Sequence, residues 1–356
     1  MRRCFALCFV IVGLVSTSVL FAQAPGANPP QRAKAYATAR EIPFTADANF
    51  LKLPEGVYFG EGIGVARNSK GHVFVYTRSG EQSKLFEFDE KGAYVREIGR
   101  GLYAFQMAHA VRVDSEDNIW VVDEGTDMVV KFNPQGRVVM TMGRRPESHG
   151  FVLPPAPGTP PPVGTPYQFG RPTDIAWDKQ GNIFVADGYT NSRAVKYDKF
   201  GKFIKAIGTR GREPNQMNTP HSIQVDANGN VYVADRGNSR IQVFSNDLTL
   251  RAIYDNIGAP WSVCITPGPH QYLYSSNSNP DNNNSIAAAV TGEIYKMELD
   301  GTVIGRFGKA GKEQGNFTTT HAIDCKNENE LFVSEITGWR VQKLTLRPQG
   351  PPTSSK

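Results

Sequence analysis

The sequence predicts an all-β fold, a six-bladed β-propeller with four-stranded blades. Three observations predict it. Pairs of alternating apolar strands recur along the chain, separated by tight turns. Each pair carries the same spacing from its first residue to the polar residue that ends it. No stretch keeps a 3.6-residue apolar period long enough for a substantial helix. The clearest copy is His221-Ser222-Ile223-Gln224-Val225-Asp226-Ala227-Asn228-Gly229-Asn230-Val231-Tyr232-Val233-Ala234-Asp235. Its period-2 alternation and Asn-Gly-Asn turn describe a hairpin. The offset of 14 residues also joins His109 to Asp123, Thr173 to Asp187 and His321 to Glu335. Degenerate copies join Ile63 to Thr77 and Trp261 to Ser275. Third strands end near Phe132, Tyr197 and Phe244, and fourth strands close at Gly99, Gly143, Gly208 and Gly308. Six units of about 40 residues are the period of a propeller blade. The last copy has room for three strands, so the segment from Ile42 to Leu53 is expected to supply the fourth and close the ring.

The remaining segments fit around that ring. Arg2 and Arg3, an apolar run from Cys4 to Leu20 and then Ala22-Gln23-Ala24 read as a signal peptide over residues 1–24. Residues 25–40 read as a Pro- and Ala-rich flexible tether, 41–348 as the propeller and 349–356 as a disordered tail. Export to the outside or the periplasm follows, with no membrane attachment after cleavage. Two insertions break the period: residues 144–171 hold eight prolines, and 276–290 are rich in Asn and Ser. Both read as surface loops. The 356 residues carry a formal charge of +5, which falls to +3 once Arg2 and Arg3 leave. Mild charge without clustered Lys and Arg excludes a dedicated nucleic-acid binder.

Propeller topology places the opening position of each copy at one mouth of the central channel, beside the loop that follows the second strand. Of six histidines, His109, His221 and His321 take the opening position in blades two, four and six. Alternate blades are about a third of a turn apart, so three imidazoles converge on the axis. Three His with an open position is a catalytic zinc pattern. His72, His149 and His270 read as surface residues. Tyr189 lies two residues beyond Asp187, while Arg236 and Arg78 directly follow Asp235 and Thr77. Two Arg and a Tyr would thus ring the metal, with Arg suited to a carboxylate. A phenol beside cations and a metal is expected to have a lowered pKa and to serve as a base. Asp123, Asp187 and Asp235 read as turn-stabilising acceptors, and Arg193, Arg240 and Arg340 as structural partners.

The repeats resemble the NHL family. The stretch from Asp187 to Arg193, with Pro220-His221-Ser222, Ala234-Asp235-Arg236 and Arg240-Ile241-Gln242, resembles the peptidyl-α-hydroxyglycine α-amidating lyases. The resemblance runs from about residue 50 to 346. It implies zinc on His109, His221 and His321, a catalytic Tyr189, and active-site arginines Arg78 and Arg236. The implied reaction cleaves the N–Cα bond of a C-terminal α-hydroxyglycine, giving an amide and glyoxylate. The implied substrate is a small molecule or peptide with a carboxylate. The chain holds no copper monooxygenase half, so a separate monooxygenase is expected to make that substrate. In the family an aspartate after the third zinc His binds calcium; Ala322 stands there, so calcium is expected to be absent or to use another ligand such as Asp324. Cys264 and Cys325, on neighbouring inner strands, either pair or stay as buried thiols. Two alternatives accompany this reading. One is a lactonase-like metal-dependent hydrolase, whose ligands are usually carboxylates; the other is a non-enzymatic NHL binding module.

Overall fold

The computed structural model describes residues 31–32, 39–80, 82–145, 165–278 and 292–347. The signal segment, the tail and most of both insertions lie outside these, as does most of the tether; His149 lies outside them too. Five blades are formed from consecutive antiparallel strands. Blade one runs from Glu61–Arg67 to Tyr94–Ile98, blade two from Ala108–Val113 to Val138–Gly143, and blade three from Asp174–Trp177 to Phe203–Ile207. Blade four runs from Pro220–Val225 to Leu250–Tyr254, and blade five from Pro260–Ile265 to Val303–Phe307. Blade six combines Thr320–Asn327, Glu330–Glu335 and Arg340–Leu346 with an N-terminal strand, Phe44–Asp47, which pairs antiparallel from Phe44–Leu346 to Asp47–Lys343. The ring is therefore closed as expected, by a strand shorter than the segment that holds it. A two-residue strand, Gln31–Arg32, adds in parallel to the outer edge of blade four. Among the described residues no helix is long and apolar enough to cross a membrane.

The hairpin turns follow from their residues. In blade four the Asp226 carboxylate accepts the N–H groups of Asn228 and Asn230, each at 2.8 Å, and Gly229 takes φ +85°. An aspartate at the first turn position and a residue without a Cβ at the left-handed one are what this geometry asks for. The core is not one mass but six layers between blades. Tyr76, Ile98, Phe105, Val121 and Phe132 fill the layer between blades one and two. Val65, Phe86, Phe88, Phe332 and Val341 fill the layer between blades six and one, which completes the circle. Each blade thus has two apolar faces, which explains the long buried runs in second strands such as Ile183–Asp187.

The expected acceptors and pairs are present. Asp235 accepts the Asn218 N–H at 2.7 Å and holds Arg240 Nε at 2.7 Å. Asp187 pairs with Arg193 Nε at 2.8 Å, and Glu335 with Arg340 Nε at 2.6 Å. Asp123 instead takes the Tyr76 hydroxyl, the Gln106 and Met107 N–H groups and Thr126. Cys264 and Cys325 form a disulfide between the inner strands of blades five and six, Cα–Cα 6.0 Å.

Candidate metal centre at the propeller axis

A register shift marks the inner strand at each histidine. Pairing skips from Ala108 to Ala110, from Pro220 to Ser222 and from Thr320 to Ala322, so His109, His221 and His321 are each the unpaired bulge residue. A bulge re-aims a side chain out of the pleat, and here it turns three imidazoles onto the axis. Their ring centroids lie 4.5, 4.8 and 4.9 Å apart, and one nitrogen from each lies within 4.8 Å of the others.

The next blade fixes each ring. His109 Nδ1 is 2.6 Å from the Thr173 carbonyl, His221 Nδ1 2.6 Å from that of Trp261, and His321 Nδ1 2.9 Å from that of Ile63. These acceptors are the opening residues of blades three, five and one. A carbonyl only accepts, so Nδ1 carries the proton and Nε2 is left with a lone pair. The Nε2 atoms of His109 and His221 are buried without a hydrogen-bond partner. Burial lowers all three imidazoles. For His109 the other histidine His321 and Arg78 add to the effect, and for His221 Arg236 does so. His321 is pushed down to about 3, by burial and then by Arg78. Three neutral imidazoles with converging Nε2 atoms, two of them orphaned, fit a borderline-soft divalent ion such as zinc. Their other nitrogens already make the outer hydrogen bonds that such ligands require.

The predicted companions surround the triad. Tyr189 packs edge-on to His109 and His221 at 5.7 and 6.1 Å. Arg78 donates from Nε to the Ala108 carbonyl at 2.8 Å and reaches toward Glu61 and Glu124 at 3.6 and 3.5 Å. Arg236 lies 4.1 Å above the Trp261 ring and 5.5 Å from the Tyr189 ring, and pairs with no carboxylate among the described residues. The protein's own groups supply only part of the expected environment of the Tyr189 phenol, the cations without the metal. Burial raises its pKa, Glu124 adds to the rise, and Arg236, Arg78 and Arg171 only oppose it. The cations are near, but removing the ring from water outweighs them.

Three participants escaped the sequence reading. Glu124 follows Asp123 as Arg78 follows Thr77 and Arg236 follows Asp235, so the same register could have found it. Its side chain is 3% exposed, and it lies 3.6 Å from His109 Nε2. Arg171 holds Glu124 at 3.1 Å and covers the second face of Tyr189 at 4.4 Å. Trp261, the blade-five opening residue, walls His221 at 4.9 Å. Among the other histidines, His270 is exposed on Glu298, whereas His72 is half-buried against Glu87 at 2.8 Å rather than free on the surface.

On the far side of the imidazoles the channel narrows to about 10 Å³, lined by Val111, Arg112, Asp174, Ser222, Ser262 and Ala322. That is room for one water at most. Asp324, the other ligand considered for calcium, is engaged by Arg67, at 2.5 Å from Nε and 2.9 Å from the backbone N–H. Arg112 lies in the same channel, gripping Asp174 with two bonds of 2.8 and 2.6 Å.

Residues 217–244 match the NHL repeat model. A probable peptidyl-α-hydroxyglycine α-amidating lyase of Caenorhabditis elegans is 26% identical over 81% of this chain and 83% of its own. The chain is a six-bladed propeller that carries an NHL repeat and resembles the amidating lyases. Human NHL repeat-containing protein 3 is similar too, 28% identical over 85% of this chain and 84% of its own. Among solved structures, a gluconolactonase of Xanthomonas campestris superposes with a TM-score of 0.58 at 14% identity, over 90% of this chain and 96% of that one. At that identity the likeness concerns the propeller alone.

Proposed function

We propose that this propeller is an exported zinc-dependent carbon–nitrogen lyase, cleaving a C-terminal α-hydroxyglycine to an amide and glyoxylate. The observation that carries the reading is the axial set of three neutral imidazoles, with Nε2 lone pairs converging below a ring of Tyr189, Arg78 and Arg236. A zinc ion held there would supply Lewis acidity at the substrate hydroxyl. Arg236, whose guanidinium has no carboxylate partner among the described residues, anchors the substrate carboxylate. Arg78, already tied to the Ala108 carbonyl, supports it from the opposite side. Tyr189 takes the hydroxyl proton as the N–Cα bond breaks. The hydroxyl oxygen becomes the aldehyde oxygen of glyoxylate, and the departing amide nitrogen gains a proton, so no water is consumed. A separate monooxygenase would supply the hydroxylated substrate. Export is supported by the signal-like leader and by the disulfide, a bond that persists in oxidising compartments.

Metal analysis of the purified protein should find about one zinc per chain. Incubation with an α-hydroxyglycine model compound should release glyoxylate, and a chelator should stop it. Tyr189→Phe should keep the metal and lose rate by about 10²–10⁴-fold, the usual worth of a positioned base; an unchanged rate would remove Tyr189 from that role. Glu124 favours one second reading, since a buried carboxylate beside the triad is a feature of the hydrolase alternative. Bound metal with lactone hydrolysis and no glyoxylate would establish that reading instead.

A further inference from the structure

Three acceptor atoms meet at the axis with nothing to accept from. They are His109 Nε2, His221 Nε2 and Glu124 Oε2, all buried and without a hydrogen-bond partner. Glu124 Oε1 is accounted for, by Arg171 at 3.1 Å and Arg78 at 3.5 Å. Oε2 is aimed the other way, 3.6 Å from His109 Nε2. The Nδ1 proton of His109 is committed to Thr173, so the neutral ring has no hydrogen to give to Oε2. Burial raises the pKa of the Glu124 carboxyl, against Arg78 and Arg171, and a cation between the two atoms would take the place of a proton there. Two lone pairs facing each other in a buried space are costly unless a positive centre lies between them.

We propose that Glu124 is a fourth protein donor to the cation held by His109, His221 and His321. This rests on the reading that the triad holds a metal. Donor atoms 2.0–2.1 Å from one zinc at tetrahedral angles are about 3.3–3.4 Å apart, and the 3.6 Å between Glu124 Oε2 and His109 Nε2 is close to that span. The substrate hydroxyl would then join as a fifth donor. Three neutral imidazoles bring no charge to a divalent ion; the carboxylate brings one negative charge. Arg171 and Arg78 orient it, as outer hydrogen bonds orient the carboxylate ligands of metal sites. The blade-two residue after the second strand therefore differs in role from its register mates, Arg78 and Arg236, which face the substrate.

The test is zinc affinity, measured by competition with a chromophoric chelator on the purified wild type and on Glu124→Gln. The expected result is about 10–100-fold weaker binding in the variant, the scale seen when a partner of a metal site is removed. Cobalt substituted for zinc should show a shifted ligand-field band in the variant. Thermal unfolding in excess chelator checks the fold: the metal-free variant should still unfold in one cooperative transition, lower than wild type only by what the weakened Arg171 and Arg78 pairing contributes. Equal zinc affinity and identical cobalt spectra in the two proteins would overturn the proposal and leave the triad reading intact. A wild type that takes up no zinc would overturn both.

Discussion

At His221 a single backbone atom decides the chemistry of the side chain. The Trp261 carbonyl fixes the Nδ1 proton and leaves Nε2 bare. The sequence showed three histidines in one register, and the register was enough to bring them together. It could not show which nitrogen would face the axis, because that depends on carbonyls of the next blade, 40 or more residues away for each of the three. Glu124 was missed for a related reason: its neighbour Asp123 has a clear turn role, and a second acid beside it looks like surface until its burial is known. Asp127 offers a residue-scale prediction. It sits at φ +56° and accepts the Arg171 N–H at 2.6 Å. Burial, with help from Asp187, raises its pKa from 3.8 to about 6. The folded state therefore holds this proton more tightly than the unfolded state. Stability from this group is complete below pH 3.8 and is lost as pH rises through about 6. Asp127→Asn keeps the acceptor and tolerates the left-handed backbone. Its advantage over wild type should be near zero at pH 4 and reach on the order of 1 kcal/mol at pH 7. That figure discounts the ~3 kcal/mol of a two-unit shift because the carboxyl is partly open to solvent. Urea unfolding at pH 4, 5.5 and 7 measures it, and a pH-independent difference would contradict the assignment.

The element that presents Tyr189 is the loop between the second and third strands of blade three. It is held by Ser192 N–H to the Gly188 carbonyl at 3.1 Å and Thr190 N–H to the Gly170 carbonyl at 3.0 Å. Strands, turns and the third-strand ends were all legible, because alternation and turn residues are local signals. The bulges were not, since an extra residue in a pair is visible only when both strands are aligned. Gly188 shows how closely the loop is fitted to its surroundings. A Cβ there would lie 2.4 Å from the Pro220 carbonyl oxygen and 2.6 Å from Thr173 Cγ2. Both belong to the seam between blades three and four, beside His221. Gly188→Ala should thus destabilise the protein by about 1–3 kcal/mol, the usual cost of overpacking, and should displace Tyr189 so that rate falls while zinc is retained. A variant with wild-type stability and rate would show that the loop gives way without effect.

At the scale of the whole molecule, the ring is most exposed to opening where the two ends of the chain meet. The inner strands of blades six and one lie at opposite ends of the chain, and the covalent link between the two blades runs through the N-terminal strand Phe44–Asp47. Their seam is fastened by Arg67 to Asp324 and Glu330, by His321 Nδ1 to the Ile63 carbonyl and by Ser334 Oγ to the same carbonyl at 3.0 Å. The blade-six outer strand comes from the N-terminus, and Ile42 N–H bonds the Arg306 carbonyl of blade five at 2.8 Å, so the N-terminal segment overlaps two blades. The Cys264–Cys325 disulfide joins the inner strands of those same two blades across 61 residues. Sequence alone left its formation open, because pairing depends on the approach of two strands that are neighbours only in the closed ring. A bridge closing that length of chain removes about 4 kcal/mol of unfolded-state entropy in the chain-entropy model. It also ties the strand carrying His321 to the rest of the ring. The double variant Cys264→Ala, Cys325→Ala should therefore lose about 2–5 kcal/mol, the usual cost of removing a native bridge, with any small voids left by the alanines adding to the loss. Urea unfolding with and without dithiothreitol separates the bond from the packing. The reductant should lower the wild-type midpoint and leave that of the double variant unchanged. If it leaves both unchanged, the two sulfurs are not bonded in the native protein, and the seam is held by burial and the Arg67 pair alone.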